Sequence, residues 1–434
     1  MHGRSLQALI AARSLSDAGV EVIGCDETPM MALSFSRYVK ETFLHGPVQD
    51  DEERFVDDLV RCVEQYRPDD DRPYVLMPIN WLTYVVARHR ERFEPMIRVA
   101  APTIGMIERV QPKDRLVETA RALGVSIPDT RIIRAEADIT TVTDGFPFPA
   151  LLKLCDGTGG IGIEKVASAE DVRATWQAFR EQFEVGPDRP VLLQELVGGT
   201  DYCVTALCEH GTMRASMVYR NLQTFPSEHG FGVLRETVAA PPLVEQTRRL
   251  LAGLDWHGVA EVDFRWDGEN EENASLIEVN PRFWGGLFQS VASGVDYPAL
   301  LYQLMVEGHV DDAPPPEIGK RTRIPMLGFV AELAELTRDE RQWDQVRQSL
   351  SSGWEILLRG KIGKALQVWT NGALAGLDPN DRIERIAAWF DDHHETESEL
   401  LSSDDPLAPM GLLYVVGSLV HHGRLPEELS RSGK

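Results

Sequence analysis

Polar side chains alternate with apolar residues in two neighbouring segments of the chain, VAEVDFRW and SLIEVN. Alternation is typical of β-strands, so Glu261 and Asp263 share one face of the first segment. Glu278 and Asn280 share one face of the second. If the turn DGENEEN between the segments closes a hairpin, Asp263 lies opposite Glu278, and Glu261 lies opposite the amide.

Two carboxylates that face each other across a strand pair repel, and a cation between them removes the repulsion. Oxygen ligands of this kind suit Mg²⁺ or Mn²⁺, with phosphates completing the shell. A solvated polar sheet face is the commoner reason for alternation. It does not explain why NPRFWGG follows at once and brings Arg282 to the same place. An arginine there can bind phosphate or carboxylate through two parallel hydrogen bonds.

A glycine-rich loop, CDGTGGIG, contains a formal G-x-G-x-x-G in Gly157, Gly159 and Gly162. A dinucleotide-binding loop must open a helix. This loop leads into GIEKVA, which alternates like a strand, and the next helix begins only near Ser168. The pattern therefore predicts a flap between two strands that can fold over phosphates, and not a dinucleotide fold.

Lys153 lies in the apolar strand ALLKL that enters this flap. A lysine in such a strand needs a charged partner, and a nucleotide phosphate is a suitable one. A cluster of turn-forming glycines beside a lysine that reaches solvent explains the same residues equally well. These residues alone leave the two interpretations open.

The elements that must position these groups fall into three regions. Helix 4–16, strand 20–25, helix 51–66, strand 74–79 and helix 81–94 predict a parallel α/β sheet over residues 1–105. A strand normally precedes the first glycine turn of such a sheet, and here that turn falls at Gly3. Either that strand lies upstream of Met1, as a misassigned start codon would produce, or the sheet begins one strand late.

A strand-rich α+β domain is predicted over residues 106–310, with a flap subdomain at about 130–195. The Pro-rich segment DDAPPPEIG marks its end. Residues 311–434 are predicted to be mainly helical, and we find no catalytic motif in them.

The formal net charge is −24, from 44 basic and 68 acidic residues, which disfavours a surface that binds nucleic acid or anionic lipid. Five cysteines without CxxC spacing indicate neither a disulfide framework nor a zinc site. The amino-terminal residues lack the apolar core of a signal peptide. The longest apolar stretch, 411–420, has about half of the ~20 residues that span a bilayer. We therefore expect a cytoplasmic protein with small-molecule partners.

The order of these motifs resembles the ATP-grasp superfamily. A lysine, the glycine flap, QELVGGTD, then VDF and EVNPR follow one another over roughly residues 100–310. Within the superfamily, the chain is most similar to predicted ATP-grasp enzymes of the carboxylate–amine ligase type. Residues 1–100 resemble the pre-ATP-grasp domain. The resemblance implies a two-lobed ATP-grasp domain, ATP and Mg²⁺ (or Mn²⁺) as cofactors, and a homodimer as a possible assembly.

The resemblance also implies roles for individual residues. Lys113 and Lys153 would contact nucleotide phosphates, and Arg282 would stabilise an acyl phosphate and the intermediate that follows it. Asp201 would bind the ribose hydroxyls. The implied metal ligands are Asp263, Glu278 and Asn280, the implied adenine hinge is Glu195, Leu196 and Val197, and the implied flap is Gly157, Thr158, Gly159, Gly160 and Gly162. The flap lacks the serines of the usual family version, so no phosphate-binding serine is carried over.

The implied reaction has two steps. ATP phosphorylates a carboxylate to give an acyl phosphate and ADP, and an amine then displaces phosphate to give an amide. One alternative is bicarbonate activation, as in biotin carboxylase or carbamoyl phosphate synthetase, although the sequence has no biotinyl Ala-Met-Lys-Met site and is far shorter than the synthetase. Another alternative is a regulator that binds ATP without catalysis.

Substrate contacts are expected in the segment 219–238, between the hinge and the hairpin. Arg220, His229 and Arg235 could hold a carboxylate there. An ordinary loop histidine and a solvated arginine rim are the simpler explanation of the same residues.

The sequence predicts that Arg282→Ala lowers turnover by roughly 10²–10³-fold, because one preorganised donor to the developing charge is lost. Steady-state assays of ADP release measure the effect. Near-normal turnover in the variant would contradict the role.

Overall fold

The structure of the protein is a computed structural model. It describes residues 1–29, 31–49, 51–157, 162–225 and 231–324; beyond residue 324 it describes 351–353, 356–357, 361, 364–365, 367–368, 396–399, 402 and 404–412.

The first hundred residues form two separate pairs of parallel strands with helices around them. The elements are α1 (Leu6–Asp17), β1 (Ile23–Asp26), β2 (Glu41–Leu44), α2 (Glu52–Gln65), β3 (Val75–Leu76), α3 (Leu82–Arg88), β4 (Arg98–Val99) and α4 (Ile104–Ile107). Strand β1 pairs with β2, and β3 pairs with β4, both in parallel. The α/β class is confirmed, although β1 and β3 are shorter than the predicted strands.

Local sequence accounts for the helices on either side of these strands. Ser5 accepts a hydrogen bond from the backbone N–H of Ala8 and so begins α1. Asp51 caps α2 in the same way through Arg54. One face of α2 buries Phe55, Val56, Leu59 and Val63.

A small antiparallel sheet follows. Its region comprises α5 (Lys113–Ala122), β5 (Thr130–Ile133), α6 (Asp138–Thr143), β6 (Ala150–Leu154), β7 (Ile163–Val166), α7 (Ala169–Phe183) and β8 (Val191–Glu195). The strand order is β5-β8-β6-β7, and α7 buries Val172, Trp176 and Phe179. Because β6 and β7 are antiparallel neighbours, the glycine loop connects two strands, as predicted, and opens no helix.

The third region is built on a seven-stranded sheet. It comprises β9 (Thr200–Glu209), β10 (Thr212–Phe225), β11 (Phe231–Thr237), α8 (Pro241–Gly253), β12 (Gly258–Trp266), β13 (Ser275–Asn280), α9 (Leu287–Ala292), α10 (Tyr297–Glu307), β14 (Arg321–Arg323) and β15 (Glu397–Ser398). The strand order is β13-β12-β9-β10-β11-β14-β15. Alternate residues of β9 enter two different cores, one with α8 and one with α9 and α10. The sheet is therefore covered on both faces.

Two short strands lie within the carboxyl-terminal region that the sequence predicts to be mainly helical. Arg321–Arg323 pairs with β11, and Glu397–Ser398 pairs with β14. These short strands give the edge of β11 the backbone partners it needs. Most of the predicted helical region, including residues 413–420 of the apolar stretch, lies outside the described residues.

All five cysteines are free, as their spacing predicted. No helix in the described part of the chain is both long enough and apolar enough to cross a membrane.

Asp405 joins the carboxyl-terminal segment to the amino-terminal region. Its buried carboxylate accepts hydrogen bonds from Arg13 Nε at 3.1 Å, Ser36 Oγ at 2.8 Å and the backbone N–H of Arg37 at 3.1 Å. This one side chain thus satisfies three donors from α1 and the loop after β1.

Asp405→Ala is expected to lower the free energy of unfolding by about 3–5 kcal/mol, because Arg13 loses its buried partner. Urea unfolding measures the change. The matched control is Asp404→Ala, since Asp404 is exposed and its loss should change stability by less than about 0.5 kcal/mol. Equal effects of the two substitutions would contradict the assignment.

Candidate functional site

The hairpin β12–β13 has the predicted register. Asp263 pairs with Glu278, and Glu261 pairs with Asn280. Strand β12 lies between β13 and β9, so the carboxylates of Glu261 and Asp263 project from the interior of the large sheet and not from its edge. Backbone pairing on both sides therefore fixes where these charges lie.

Asn280 lies at the centre of this polar face. Its Nδ2 donates to Asp263 Oδ2 at 3.0 Å and to Glu261 Oε2 at 3.3 Å. Its Oδ1 accepts from Arg282 Nη2 at 2.9 Å. Arg282 is thus held beside the carboxylates by the side chain two residues before it.

The pKa values of two carboxyls on this face, those of Asp263 and Glu261, are raised. Loss of hydration and then the negative charges of Glu261 and Glu278 raise the pKa of Asp263 well above its ordinary value. Burial also raises the pKa of Glu261, against a hydrogen bond of 2.6 Å from Tyr219 Oη. Asp263 Oδ1 is buried and has no hydrogen-bond partner among the described residues. Such a group fits a cation.

Ligand atoms of Cys203, Glu261 and Asp263 lie within 4.8 Å of one another. Burial raises the pKa of the Cys203 thiol well above its ordinary value, so that sulfur stays protonated and is a poor ligand. The remaining donors are carboxylate and amide oxygens, which suit a hard divalent cation.

Two lysines approach this face from the small sheet. Lys113, the first residue of α5, places Nζ 3.4 Å from Glu278 Oε2 and donates to the carbonyl of Gly157 at 2.6 Å. Lys153 on β6 donates to Gln194 Oε1 at 2.6 Å. The structure therefore brings Lys113 into contact with the metal-type hairpin and with the beginning of the glycine loop.

Lys153 is buried, and its pKa is lowered to about 8, first by loss of hydration and then by the charge of Lys113. The unfolded chain keeps this proton up to about pH 10.5. The contribution of Lys153 to the free energy of unfolding therefore rises with pH between about 8 and 10.5. An anion that enters the site would interact with the positive charge of the protonated Lys153 amine.

A small cavity of about 10 Å³, close to the room that one water molecule needs, lies beside the two lysines and strand β13. Its lining residues are Lys113, Leu116, Val117, Ile127, Lys153, Leu192, Gln194, Leu276 and Ile277. Apolar side chains and two lysine side chains thus line one small cavity.

The predicted hinge lies at the end of β8. Glu195 pairs with Asp129 through its backbone N–H at 2.8 Å and its carboxylate at 3.2 Å. Leu196 is exposed and Val197 is half-buried. Asp201, the second residue of β9, accepts a hydrogen bond from Arg265 Nη1 at 3.1 Å and is half exposed.

The glycine loop is described only at its two ends. Thr158, Gly159 and Gly160 lie outside the described residues. Gly162 has φ of 70°, and an added Cβ would lie 2.3 Å from Leu154 Cδ1. Glycine is therefore required where the loop re-enters β7.

The three candidate substrate residues have different positions. Arg220 binds Glu236 at 2.8 Å, and Arg321 binds the other oxygen of the same carboxylate. Arg235 is only 2% exposed and pairs with the buried Glu399, so a solvated rim does not describe it. His229 lies outside the described residues.

Three residues of the site were not among the predicted candidates. Alternation had already placed Glu261 on the face of Asp263, but no role in the site was predicted for it. Tyr219 and Gln194 reach their partners across 42 and 41 residues of sequence, and no local pattern indicates such contacts.

Comparison with known proteins identifies the fold around this site. Residues 188–324 match the family model described as "ATP-grasp in the biosynthetic pathway with Ter operon". A carbamoyl phosphate synthase large chain from Methanothermobacter thermautotrophicus is 23% identical over 231 residues, which are 50% of this chain and 21% of that protein. The chain thus spans about a fifth of the length of this relative.

Two solved structures share the fold. One is the biotin carboxylase domain dimer of Hydrogenobacter thermophilus 2-oxoglutarate carboxylase, with MgADP, ADP and bicarbonate; its TM-score is 0.58 at 16% identity, covering 73% of this chain and 71% of that one. The other is an L-amino acid ligase from Bacillus licheniformis, with a TM-score of 0.52 at 14% identity, covering 70% and 72%. At these identities the likeness establishes the fold alone.

Asp263→Asn is expected to raise the free energy of unfolding at pH 7 by on the order of 1–2 kcal/mol. The raised pKa means that the folded protein disfavours the charged carboxylate, so its destabilising effect appears as pH rises above about 3.8. Urea unfolding at pH 7 and at about pH 3.5 should show the gain only at the higher pH.

Asp267→Asn on the same hairpin is the matched control. Hydrogen bonds from Asn273, Glu269 and Asn270 hold the pKa of Asp267 below its ordinary value. This substitution should therefore reduce stability at pH 7. The same sign for both variants would contradict the electrostatic interpretation.

Proposed function

The chain carries an ATP-grasp domain, and from this premise we propose that the protein is an ADP-forming ligase that joins a carboxylate to an amine. In the first step a carboxylate oxygen of the substrate attacks the terminal phosphorus of ATP, which gives an acyl phosphate and ADP. In the second step an amine nitrogen attacks the acyl carbon. Phosphate leaves, the nitrogen loses a proton, and an amide remains.

The observation that carries this proposal is the contact between Lys113 and Glu278, at 3.4 Å. It brings a lysine that lines a small cavity to a cluster of carboxylates. Phosphoryl transfer depends chiefly on positioning and on neutralisation of phosphate charge, and it needs no protein nucleophile. A site made of lysines, metal-type carboxylates and an arginine supports that chemistry.

Lys113 and Lys153 would hold the phosphates of ATP, and the glycine loop 157–162 would cover them. The adenine would lie against the backbone of Glu195, Leu196 and Val197. Asp201 would bind the ribose hydroxyls after exchanging its partner Arg265.

Mg²⁺ (or Mn²⁺) would be held by Asp263, Glu278 and Asn280, and Glu261 lies close enough to support them. The unpartnered Oδ1 and the raised pKa of Asp263 fit such an ion. When bound, the ion supplies charge neutralisation to the phosphates. Arg282 is held by Asn280 Oδ1, which orients its remaining donors for the acyl phosphate.

Carboxylates engage both described candidate substrate arginines, Arg235 through the buried Glu399 and Arg220 through Glu236. A Cβ added at Gly285 would lie 3.8 Å from Arg235 Nη2, so Arg235 lies beside the loop that carries Arg282. Arg220 is engaged by Glu236 together with Arg321. We propose a homodimer as the assembly, by analogy with the dimeric biotin carboxylase domain.

Bicarbonate activation is the second candidate function. The matches to carbamoyl phosphate synthase and to a biotin carboxylase domain favour it, whereas the match to an L-amino acid ligase favours the amide-forming reaction. A regulator that binds ATP without turnover is the third candidate. The complete set of polar residues on the hairpin argues against it.

The purified chain, ATP and Mg²⁺ should release ADP when incubated with members of a panel of carboxylic acids and amines, and mass spectrometry should detect the amide. ADP release that requires bicarbonate alone would favour the second candidate. ATP binding without ADP release across the panel would contradict a ligase.

Glu278→Gln is expected to lower this ADP release by roughly 10²–10³-fold, because it removes one charge that holds the metal beside Lys113. The matched control is Glu272→Gln, at an exposed position in the turn of the same hairpin, which should retain normal activity. A Glu278→Gln protein as active as the parent would show that the metal assignment is wrong.

A further inference from the structure

The two parallel strand pairs of the amino-terminal region leave a space between them, which we call the strand slot. Strand β1 forms one side and β3 forms the other, with α1 above and α2 below. The slot has a cavity volume of about 150 Å³ and opens to solvent. A sheet divided in this way exposes two strand edges to each other.

Backbone groups on both edges point into the slot. The carbonyls of Val22 and Asp26 face β2, where they accept hydrogen bonds from the backbone N–H groups of Lys40 and His45. In a parallel strand alternate residues turn to opposite sides, so Ile23 and Cys25 turn towards the slot. On the other edge, the carbonyls of Tyr74 and Leu76 accept hydrogen bonds from backbone N–H groups on the β4 side. The backbone groups of Val75 and Met77 therefore turn towards the slot.

Residues 1–3 connect the two edges at one end of the slot. The amino group of Met1 donates to the carbonyl of Met77 at 3.2 Å, and the backbone N–H of Gly3 donates to the carbonyl of Cys25 at 2.9 Å. Residues 1–3 thus reach from one edge to the other. The two edges are therefore as far apart as two strands with one strand between them. The amino group of Met1 lies where the carboxyl end of that strand would be.

The chain after this point continues as a strand-to-helix turn. An added Cβ at Gly3 would lie 2.5 Å from Met31 Sδ, so the turn requires glycine, and Ser5 then caps α1. Helix α1 leads back to β1, which runs parallel to a strand that would end at Met1. A strand, helix and parallel strand in this order form a single crossover unit.

The walls of the slot are apolar on both sides. Helix α1 contributes Ala8, Ala11, Ala12 and Leu15. Helix α2 contributes Leu59, Cys62 and Val63, and Tyr66 follows at its end. Side chains that alternate above and below a strand would meet both walls, so both faces of that strand must be apolar. The two edges run over residues 22–26 and 74–77, so each can pair with about five residues of extended chain.

We propose that the strand slot is the binding site for an extended apolar segment of about five residues that is joined directly to the amino group of Met1 and completes a five-stranded parallel sheet. Its backbone would pair with β1 on one side and with β3 on the other. The order would be β2-β1-segment-β3-β4, with the new strand at the centre.

The first test is the amino terminus of the protein isolated from its own cells. Tryptic digestion and mass spectrometry should find a peptide that ends at Arg4 and begins upstream of Met1, with mainly branched apolar residues directly before Met1. A native amino terminus at Met1, or a polar segment before it, would overturn the proposal.

The second test uses the full chain with designed extensions before Met1. The extension Met-Lys-Ile-Leu-Val-Val should raise the thermal midpoint by roughly 5–10 °C. Met-Lys-Asp-Ser-Gly-Ser should not. Met-Lys-Ile-Pro-Val-Pro, which is apolar but cannot pair as a central strand, should also fail.

Labelling of Cys62 distinguishes insertion into the slot from stabilisation elsewhere. Its half-buried thiol lines the slot. N-ethylmaleimide should therefore label Cys62 in the parent chain and fail to label it in the chain that carries the apolar extension. Equal midpoints and equal labelling for the apolar and polar extensions would overturn the proposal. A protected Cys62 in a native protein that begins at Met1 would also overturn it, because another segment or a second copy would then fill the slot.

Discussion

The repulsion between carboxylates on the β12–β13 hairpin is the constraint on which the candidate site depends. Backbone pairing holds Asp263 opposite Glu278, and Glu261 lies two residues away on the same face. Lys113, Arg282 and Tyr219 approach from three other elements, and each offers these oxygens a positive charge or a hydrogen bond, directly or through Asn280. The stability of the large sheet thus offsets the repulsion between these like charges.

This hairpin was also the part of the site that sequence could predict best. Alternation with a period of two and an Asp-Gly turn specify which side chains share a face, so the register of Asp263 and Glu278 followed from local pattern alone. The loop between β6 and β7 was predicted for the same reason. Its flanking residues alternate, and Gly162 is needed at a positive φ.

Other parts of the structure had no local signal. Helix α10 is apolar around most of its circumference, because it packs between the sheet and α1, and therefore lacks a clear helical period. Arg235 and Glu399 are 164 residues apart in sequence, and only folding shows that each neutralises the other in the interior. Strand β2 is four half-exposed residues that follow a loop, and its place in the sheet depends on β1.

The lowered pKa of Lys153 has a consequence for how the cavity receives an anion. A lysine with a pKa of about 8 is mostly charged at pH 7 and about half charged at pH 8, so the empty cavity avoids much of the cost of a buried cation only from about pH 8 upwards. An entering phosphate would draw a proton from the buffer onto that amine. The cavity would then gain its positive charge together with the ligand, and its affinity for anions would fall as the pH rises above 8.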